Sequence, residues 1–589
     1  MKKLRWQLLI VVLALAAIAI LLLDQQQTTL EPLAPFQPEQ GGEYSEALIG
    51  EFGRLNPILD SYNPADRDIN RLLFSGLVRF DDRGVPVYDL AESMGINQDG
   101  TTYNFSIRPN ALWHDGEEVT SEDILFTVDL MKDENFPTPA DLRELWQEVE
   151  VQEIDEKTIS FTLPEPFAPF LDYLTFGILP KHLLEDTAPG ELADSRFNLQ
   201  PVGSGPFRFD HLLGENGKIT GVALAAFEDY YGDPPFIEQV IFKYYPDSRS
   251  ALEAYRQGEV MGINQLSEEA LPEALKEPGL RIYTGRLPQL TLVYLNLDNP
   301  QVSFLQEVAV RRALLMGINR QWIVDRVLNG QALIADGPIF PGTWAYYEEI
   351  EHIDYDRNTA AALLDEAGYT LPVSGGASAD ATGVPEGAEG APAGSENVRA
   401  KEGVRLEFEL VYPDDPQYAA IVEVLQSGWA QIGVRVTPKA VPYEQVIAEH
   451  LEPRQYQAAL VDLNLAQSPD PDPYPFWDGA QANSGQNYSM WDDRQASEYL
   501  ERARITFDLG ERARAYRNFQ VRFTSEMPAL PLFYPVYSYG VDAEVQGVRI
   551  GSFFDPSDRF ITISSWFLRE GRAVEAAAEP VSEEPTAAP

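Results

Sequence analysis

Five histidines, a serine between two glycines and 92 acidic residues are the groups of this 589-residue chain whose types could do chemistry. His114 and Asp115 are neighbours in Trp113-His114-Asp115-Gly116, a pairing that suits a metal ligand set or an acid–base pair. A metal centre needs several ligands at a working spacing. His114, His182, His211, His352 and His450 are instead scattered, with no H-E-x-x-H and no paired spacing. The chain has no cysteine, which excludes thiolate metal sites and structural disulfides. Ser204 lies between Gly203 and Gly205, but Pro206 follows, so the stretch reads as a turn before a strand. Neither a G-x-S-x-G elbow nor a G-x-x-x-x-G-K-S/T loop occurs. A glycoside hydrolase needs two carboxylates about 5 to 9.5 Å apart, and among so many acids no pair stands out. No enzyme motif stands out among these residues.

The elements that carry these residues are legible in their periodicity. Tyr103, Phe105 and Ile107 alternate with polar residues, the period of a half-buried strand. Trp113 to Gly116 then turns the chain, with Gly116 free to take positive φ. Thr120 and Asp123 form a capping box ahead of a helix whose apolar face is Ile124, Leu125 and Val128. Thr158 to Leu163 alternates as a second strand and stops at Pro164 and Pro166. Glu307 to Ile318 has helical spacing. Asn319 caps the next helix and Gly330 closes it, while Asn358 caps a helix over Thr359–Ala367 that Gly368 stops. Arg494 to Phe507 and Glu511 to Met527 read as a helical pair. The chain is α/β in mixed order.

Its length is too great for one core, so at least two lobes are expected. Forty-four basic residues against 92 acidic give a formal charge of -48, and such a surface repels nucleic acid. Lys2, Lys3 and Arg5 precede an apolar run from Leu8 to Leu23, about 24 Å of helix, with Trp6 positioned to extend it to the interface. No small-x-small cleavage site is obvious after Leu23, so a retained membrane anchor is favoured over a cleaved signal peptide. The positive flank orients the remainder outside the cytoplasm. Asp24 to Gly42 reads as a stalk, Leu371 to Glu402 as a low-complexity surface insertion, and the tail after Arg569 as an acidic disordered end.

Several segments, in order, resemble the extracytoplasmic solute-binding proteins of the oligopeptide/dipeptide/nickel class (family 5) that feed ABC importers. Besides Tyr103–Asp129 these are Leu55-Asn56-Pro57, Pro201-Val202-Gly203-Ser204-Gly205-Pro206-Phe207, and Phe227-Glu228-Asp229-Tyr230-Tyr231-Gly232. Val310-Arg311-Arg312-Ala313-Leu314 with Ile318-Asn319-Arg320, and Tyr355-Asp356 to Gly368-Tyr369, complete the set. The resemblance spans Tyr44 to Phe533. It implies a two-lobed periplasmic-binding-protein-like α/β fold of type II with an extra subdomain in lobe one and a ligand cleft between the lobes. The expected organisation is a membrane anchor or signal segment over 1–23, a stalk over 24–43 and lobe one over 44–290. Lobe two follows over 291–530 with its insertion at 371–402, then a return to lobe one over 531–568 and a tail over 569–589. The zero cysteine count departs from the family's lipidated cysteine and strengthens the anchor reading.

The resemblance implies capture of a peptide-like or other small polar solute by lobe closure and delivery to the transmembrane permease subunits, by a monomer without a cofactor. Peptide binders of the class hold the α-amine with an aspartate three residues before an Asp-Pro pair. Aligned on Asp470-Pro471, that position is Gln467, and the family's tryptophan falls on Asn464. Gln467 offers one acceptor and two donors but no charge. Asp462, Asp470 or Asp472 restores the charge under a shifted register. Glu51 and Phe52 are expected on the lobe-one wall. Trp344 and Trp477 are either core or aromatic platforms for a sugar ring or an apolar side chain. A membrane-tethered sensor, a nickel-chelate or oligosaccharide binder, and a hydrolase on the same scaffold are the alternatives.

Overall fold

A computed structural model describes residues 38, 40–61, 63–372, 397–464, 470–551 and 555–568. The expected anchor, nearly all of the stalk, most of the insertion, the tail and Gln467 lie outside the described residues.

The largest sheet is organised around one long strand, Ala529–Asp542. Its first residues pair antiparallel with Gln289–Leu295, and Val536 to Asp542 pair antiparallel with Leu280–Arg286. On the lobe-two side, Gln289–Leu295 pairs with Ala458–Asn464, followed by Glu407–Pro413 and Arg435–Val441. On the lobe-one side come Gly262–Ile263, Glu43–Ile49, Gln239–Tyr245, Lys218–Ala226 and Phe207–Glu215. A single strand therefore belongs to both lobes.

Sequence explains the depth of these strands. Gln289–Leu295 reads QLTLVYL, without a polar face, and both faces are covered. Leu292 and Tyr294 pack with Trp477, Phe519 and Phe523, while Val293 and Leu295 face Leu314, Phe408 and Trp429. Alternation by twos sends neighbouring side chains into two different cores.

The subdomain is a four-stranded antiparallel sheet of Ala91–Ile96, Thr102–Ile107, Thr158–Thr162 and Glu150–Asp155. Tyr103, Phe105 and Ile107 are buried, as their alternation predicts. Helix Ser121–Lys132 opens on the expected capping box, with the Thr120 N–H donating to Asp123 Oδ2 at 2.9 Å. The turn at Trp113–Gly116 is closed by the Gly116 N–H on the Trp113 carbonyl (2.9 Å), with Gly116 at φ +93°.

His114 leaves that turn to make a knot. Its Nδ1 accepts the Gly203 N–H at 3.1 Å and its Nε2 meets the Gly205 carbonyl at 3.0 Å, so Nε2 carries the proton. Burial lowers its pKa to about 4. The two glycines lie against the end of helix Pro64–Leu73, so close that a Cβ on Gly203 would sit 1.9 Å from the Leu73 carbonyl oxygen. Ser204 between them is fully buried. His114 is thus spent on joining its turn to the Gly203–Gly205 stretch, while the Ser204 carbonyl accepts the Ser75 hydroxyl at 3.3 Å and its own hydroxyl is buried without a hydrogen-bond partner among the described residues.

One cap moves. Helix Arg357–Glu366 is capped by Asp356, whose carboxylate accepts the N–H groups of Asn358 (2.9 Å) and Thr359 (3.0 Å). Asn358, the expected cap, lies inside the first turn, because the carboxylate two residues earlier reaches two N–H groups at once. The late helical pair is Arg494–Ile505 and Leu509–Glu526. Residues 555–568 pack against strand Glu43–Ile49 and helix Pro64–Leu73 through Arg559, which is fully buried beside Glu46 and Asp68.

Candidate functional site

The strand Glu43–Ile49 ends at Gly50 and runs into Glu51-Phe52-Gly53-Arg54, the loop expected to touch a solute. Its shape is imposed by the next helix, Pro64–Leu73. Asn63 caps that helix and donates from Nδ2 to the Glu51 carbonyl at 3.0 Å. Asp66, in the first turn, accepts the N–H groups of Gly53 (3.1 Å) and Arg54 (2.8 Å). Burial raises the Asp66 pKa to about 6. Phe52 is half-buried, edge-on to Tyr244 at 6.4 Å. Glu51 is exposed and held by Lys218 at 2.7 Å, a hydrogen bond and charge that lower its pKa.

The other expected residues lie on and after strand Ala458–Asn464. Asp462 lies near the end of strand Ala458–Asn464, opposite Thr291 in register. Thr291 Oγ1 donates to Asp462 Oδ1 at 2.5 Å, and the Tyr418 hydroxyl donates to Oδ2. Its carboxylate is therefore committed within lobe two. Asn464 is exposed at the strand's end, and the chain then enters 465–469, outside the described residues.

Asp470 and Asp472 are also taken. Asp470 is buried, with Arg512 Nη2 at 2.8 Å from Oδ2; Asp472, likewise buried, pairs with Arg504 Nε at 3.0 Å. Burial raises the Asp472 pKa to about 6. Trp344 is half-buried beside this group, with the Arg512 guanidinium 4.9 Å from its ring centre and Tyr516 at 5.7 Å. Trp477 belongs to the core. It is 1% exposed, between Tyr294 at 5.7 Å and Phe523 at 4.8 Å, so no ring face is left to act as a platform.

Contacts between the lobes among the described residues include two groups. Gln417 Nε2 donates to Glu268 Oε1 at 3.1 Å on one side. On the other, Arg504 lies 4.9 Å over Phe167 and Phe507 packs edge-on to Tyr103 at 6.1 Å, and burial with the Asp470 charge raises the pKa of Asp172 on the 3-10 helix Ala168–Leu174. A cavity of about 1070 Å³ in lobe one, between the hairpin at 78–88, the loop at 230–236 and residues 549–565, contains none of the expected site residues. Among the described residues no group of three or more His, Asp or Glu converges as a metal site.

Two features escaped the sequence reading. The Asn63–Asp66 clamp on the Glu51 loop was signalled by Asn63-Pro64-Ala65-Asp66, a cap followed by proline and an early acid. Asp172 has no local signal, because the Asp470 charge that helps raise its pKa lies 298 positions further along the chain.

Residues 85–486 match the bacterial extracellular solute-binding proteins, family 5 Middle. The chain is 25% identical over 540 residues to the oligopeptide-binding protein AppA of Bacillus subtilis, covering 90% of this chain and 92% of that protein. It is 26% identical over 519 residues to the dipeptide-binding protein of Escherichia coli, covering 81% and 89%. The solved structure of HbpA2 from Haemophilus parasuis shares the fold with a TM-score of 0.74 at 21% identity, over 89% of this chain and 99% of that one. A two-lobed fold organised on a shared strand and a family match over most of the chain lead to one conclusion: the chain belongs to the family 5 extracellular solute-binding proteins and is the substrate-binding subunit of an ABC importer.

Proposed function

We propose that this subunit captures a peptide-like or other small polar solute whose amino terminus is blocked or absent. Glu51 and Phe52 form the lobe-one wall in this reading, and Asn464 and Gln467 the lobe-two wall, with Trp344 at the edge. The observation that carries it is the engagement of the three carboxylates, Asp462, Asp470 and Asp472, that a shifted register would put in place of the amine-binding aspartate. Asp462 is held by Thr291 and Tyr418, Asp470 by Arg512, and Asp472 by Arg504. An ammonium leaving water needs an anionic partner, and Gln467 supplies only dipoles. The curated relatives named for oligopeptides and dipeptides support the peptide-like class.

Calorimetry with matched free and N-acetylated peptides tests this. The native chain should favour the acetylated set, and Gln467→Asp should raise affinity for free amines. Unchanged affinities in Gln467→Asp would remove that residue from the site. The same reading has the protein acting as a monomer, without catalysis, tethered outside the cytoplasm by residues 1–23. The basic flank, the apolar run and the absence of cysteine support the tether. A mature N-terminus beyond residue 24 in membrane-free protein would defeat it.

A further inference from the structure

The cavity of about 1070 Å³ in lobe one shares no residue with the expected solute walls and has a chemistry of its own. Four arginines line it, Arg71, Arg79, Arg108 and Arg549, in a chain whose acids outnumber its bases by 92 to 44. Arg71 is occupied, with Nη2 at 3.2 Å from Asp558 Oδ1. Arg108 is positioned but not satisfied. Its Nε donates to the Asp89 carbonyl at 2.6 Å, and its guanidinium lies 5.6 Å from the Tyr231 ring centre. Both of its Nη groups are left without a hydrogen-bond partner among the described residues. Arg79 and Arg549 are exposed and make no ion pair and no side-chain hydrogen bond among the described residues.

The acids of the same lining do not neutralise these cations. Asp81 is turned into its own hairpin, where Oδ1 accepts the N–H groups of Arg83 (2.8 Å) and Val85 (2.9 Å). Asp89 is 8% exposed, and its Oδ1 accepts the Tyr231 hydroxyl at 2.6 Å. Burial raises its pKa, so its charge is the least favoured of the group. Asp82 and Asp233 are exposed, and neither forms an ion pair among the described residues. The remaining wall is aromatic, with Phe74 and Phe560 buried and Phe236 half-buried.

We propose that this cavity is a second binding site, for a small organic anion whose carboxylate or phosphate head meets Arg79, Arg108 and Arg549 and whose apolar body lies against the aromatic wall. A guanidinium is a planar fork of donors that matches either head group, and its charge roughly doubles the strength of each hydrogen bond. Arg108 is the preorganised member, because the Asp89 carbonyl and the Tyr231 ring already fix its plane. A few placed polar groups on a largely aromatic wall are the usual make-up of a small-molecule site. The formal charge of -48 repels anions from the surface at large, so an anion that binds does so where arginines are gathered. The assignment is independent of the solute captured between the lobes.

Calorimetry on the full chain in detergent tests it, with phenyl phosphate and benzoate as the two anionic probes and benzyl alcohol as the neutral one. At least one anion should bind one-to-one and benzyl alcohol should not; the tighter anion identifies the head group. Arg79→Gln and Arg549→Gln remove exposed, unpaired side chains and leave the fold alone. Each should weaken the anion by about tenfold. Hydrogen exchange on the native chain locates the site without any variant: the bound anion should slow exchange over residues 78–88 and 560–565. Gln467→Asp, which adds a negative charge to the expected solute wall, should leave anion affinity unchanged. No binding of either anion, equal binding of benzyl alcohol, affinity untouched by both arginine variants, or loss of affinity in Gln467→Asp would each overturn the second site. Solute capture is read separately with the peptides, so it stands or falls on its own.

Discussion

Replacing Arg559 by methionine should release the last segment of the chain from lobe one. The guanidinium is fully buried and divides itself between two buried acids. Nη2 and Nε bind Glu46 Oε1 at 2.6 and 3.1 Å, while Nη1 and Nη2 bind Asp68 at 2.6 and 2.7 Å. Glu46 also accepts the hydroxyls of Tyr44 (2.5 Å) and Tyr539 (2.7 Å), so one cation holds the first strand, the shared strand, helix Pro64–Leu73 and residues 555–568 together. Removing one partner of such a group strands the others as uncompensated buried charge, at a cost of about 3–5 kcal/mol. Methionine fills much of the same volume, so most of the loss is electrostatic. A chain of several lobes does not unfold in two states, and native-state hydrogen exchange is the suitable assay. Protection over Glu43–Ile49 and residues 555–568 should fall by roughly two to nearly four orders of magnitude. Adding Glu46→Gln and Asp68→Asn to Arg559→Met should recover most of it, because the stranded charges are gone. If the triple variant is as unprotected as the single one, the cost is packing and the electrostatic reasoning fails.

His114 gives a stability term of opposite character. Its pKa is about 4 against an ordinary value of 6.5, so its contribution is complete above pH 6.5 and is lost as pH falls to about 4. The 2.5-unit difference corresponds to up to about 3 kcal/mol. His114→Gln should be less stable at pH 7, and the gap to the native chain should narrow by that amount by pH 4. Urea melts of the subdomain signal at the two pH values measure it, and an unchanged gap would refute the neutral buried imidazole. Asp66→Ala should leave the fold intact but free the N–H groups of Gly53 and Arg54, weakening solute affinity by about tenfold in calorimetry. Undiminished affinity would remove the Glu51 loop from the solute wall.

Local periodicity made most of the frame legible. The alternation at Tyr103–Ile107, the capping box at Thr120–Asp123 and the two late helices are short-range patterns that the fold follows. The shift of a cap from Asn358 to Asp356 is a competition between two residues of equal cap preference, which the backbone settles by which one reaches two N–H groups. The site was less legible, because its properties come from pairings distant in sequence. Asp462 reads as a free carboxylate until Thr291 and Tyr418, 171 and 44 positions away, are brought to it. Trp477 reads as either core or platform until Tyr294 and Phe523 close on it and settle it as core.

Several of the motifs that reveal the family hold the frame together. Arg311 of Val310–Leu314 donates to the carbonyls of Leu305, Glu526 and Met527, and burial lowers its pKa to about 10, still a cation at neutral pH. Arg320 of Ile318–Arg320 donates to the carbonyls of Ala335, Pro531 and Ile353. Both therefore grip the entrance of Ala529–Asp542, the strand common to the two lobes, where backbone carbonyls leaving a helix need donors. The glycines of Gly203–Gly205 and the ring of His114 do the equivalent for the subdomain. In a chain with 44 basic residues against 92 acidic ones, several arginines are buried as fasteners and not displayed on the surface. Gln467→Asp is expected to change solute preference while leaving these arginine contacts intact, and unchanged hydrogen-exchange protection over Ala529–Asp542 beside an altered solute affinity would show it.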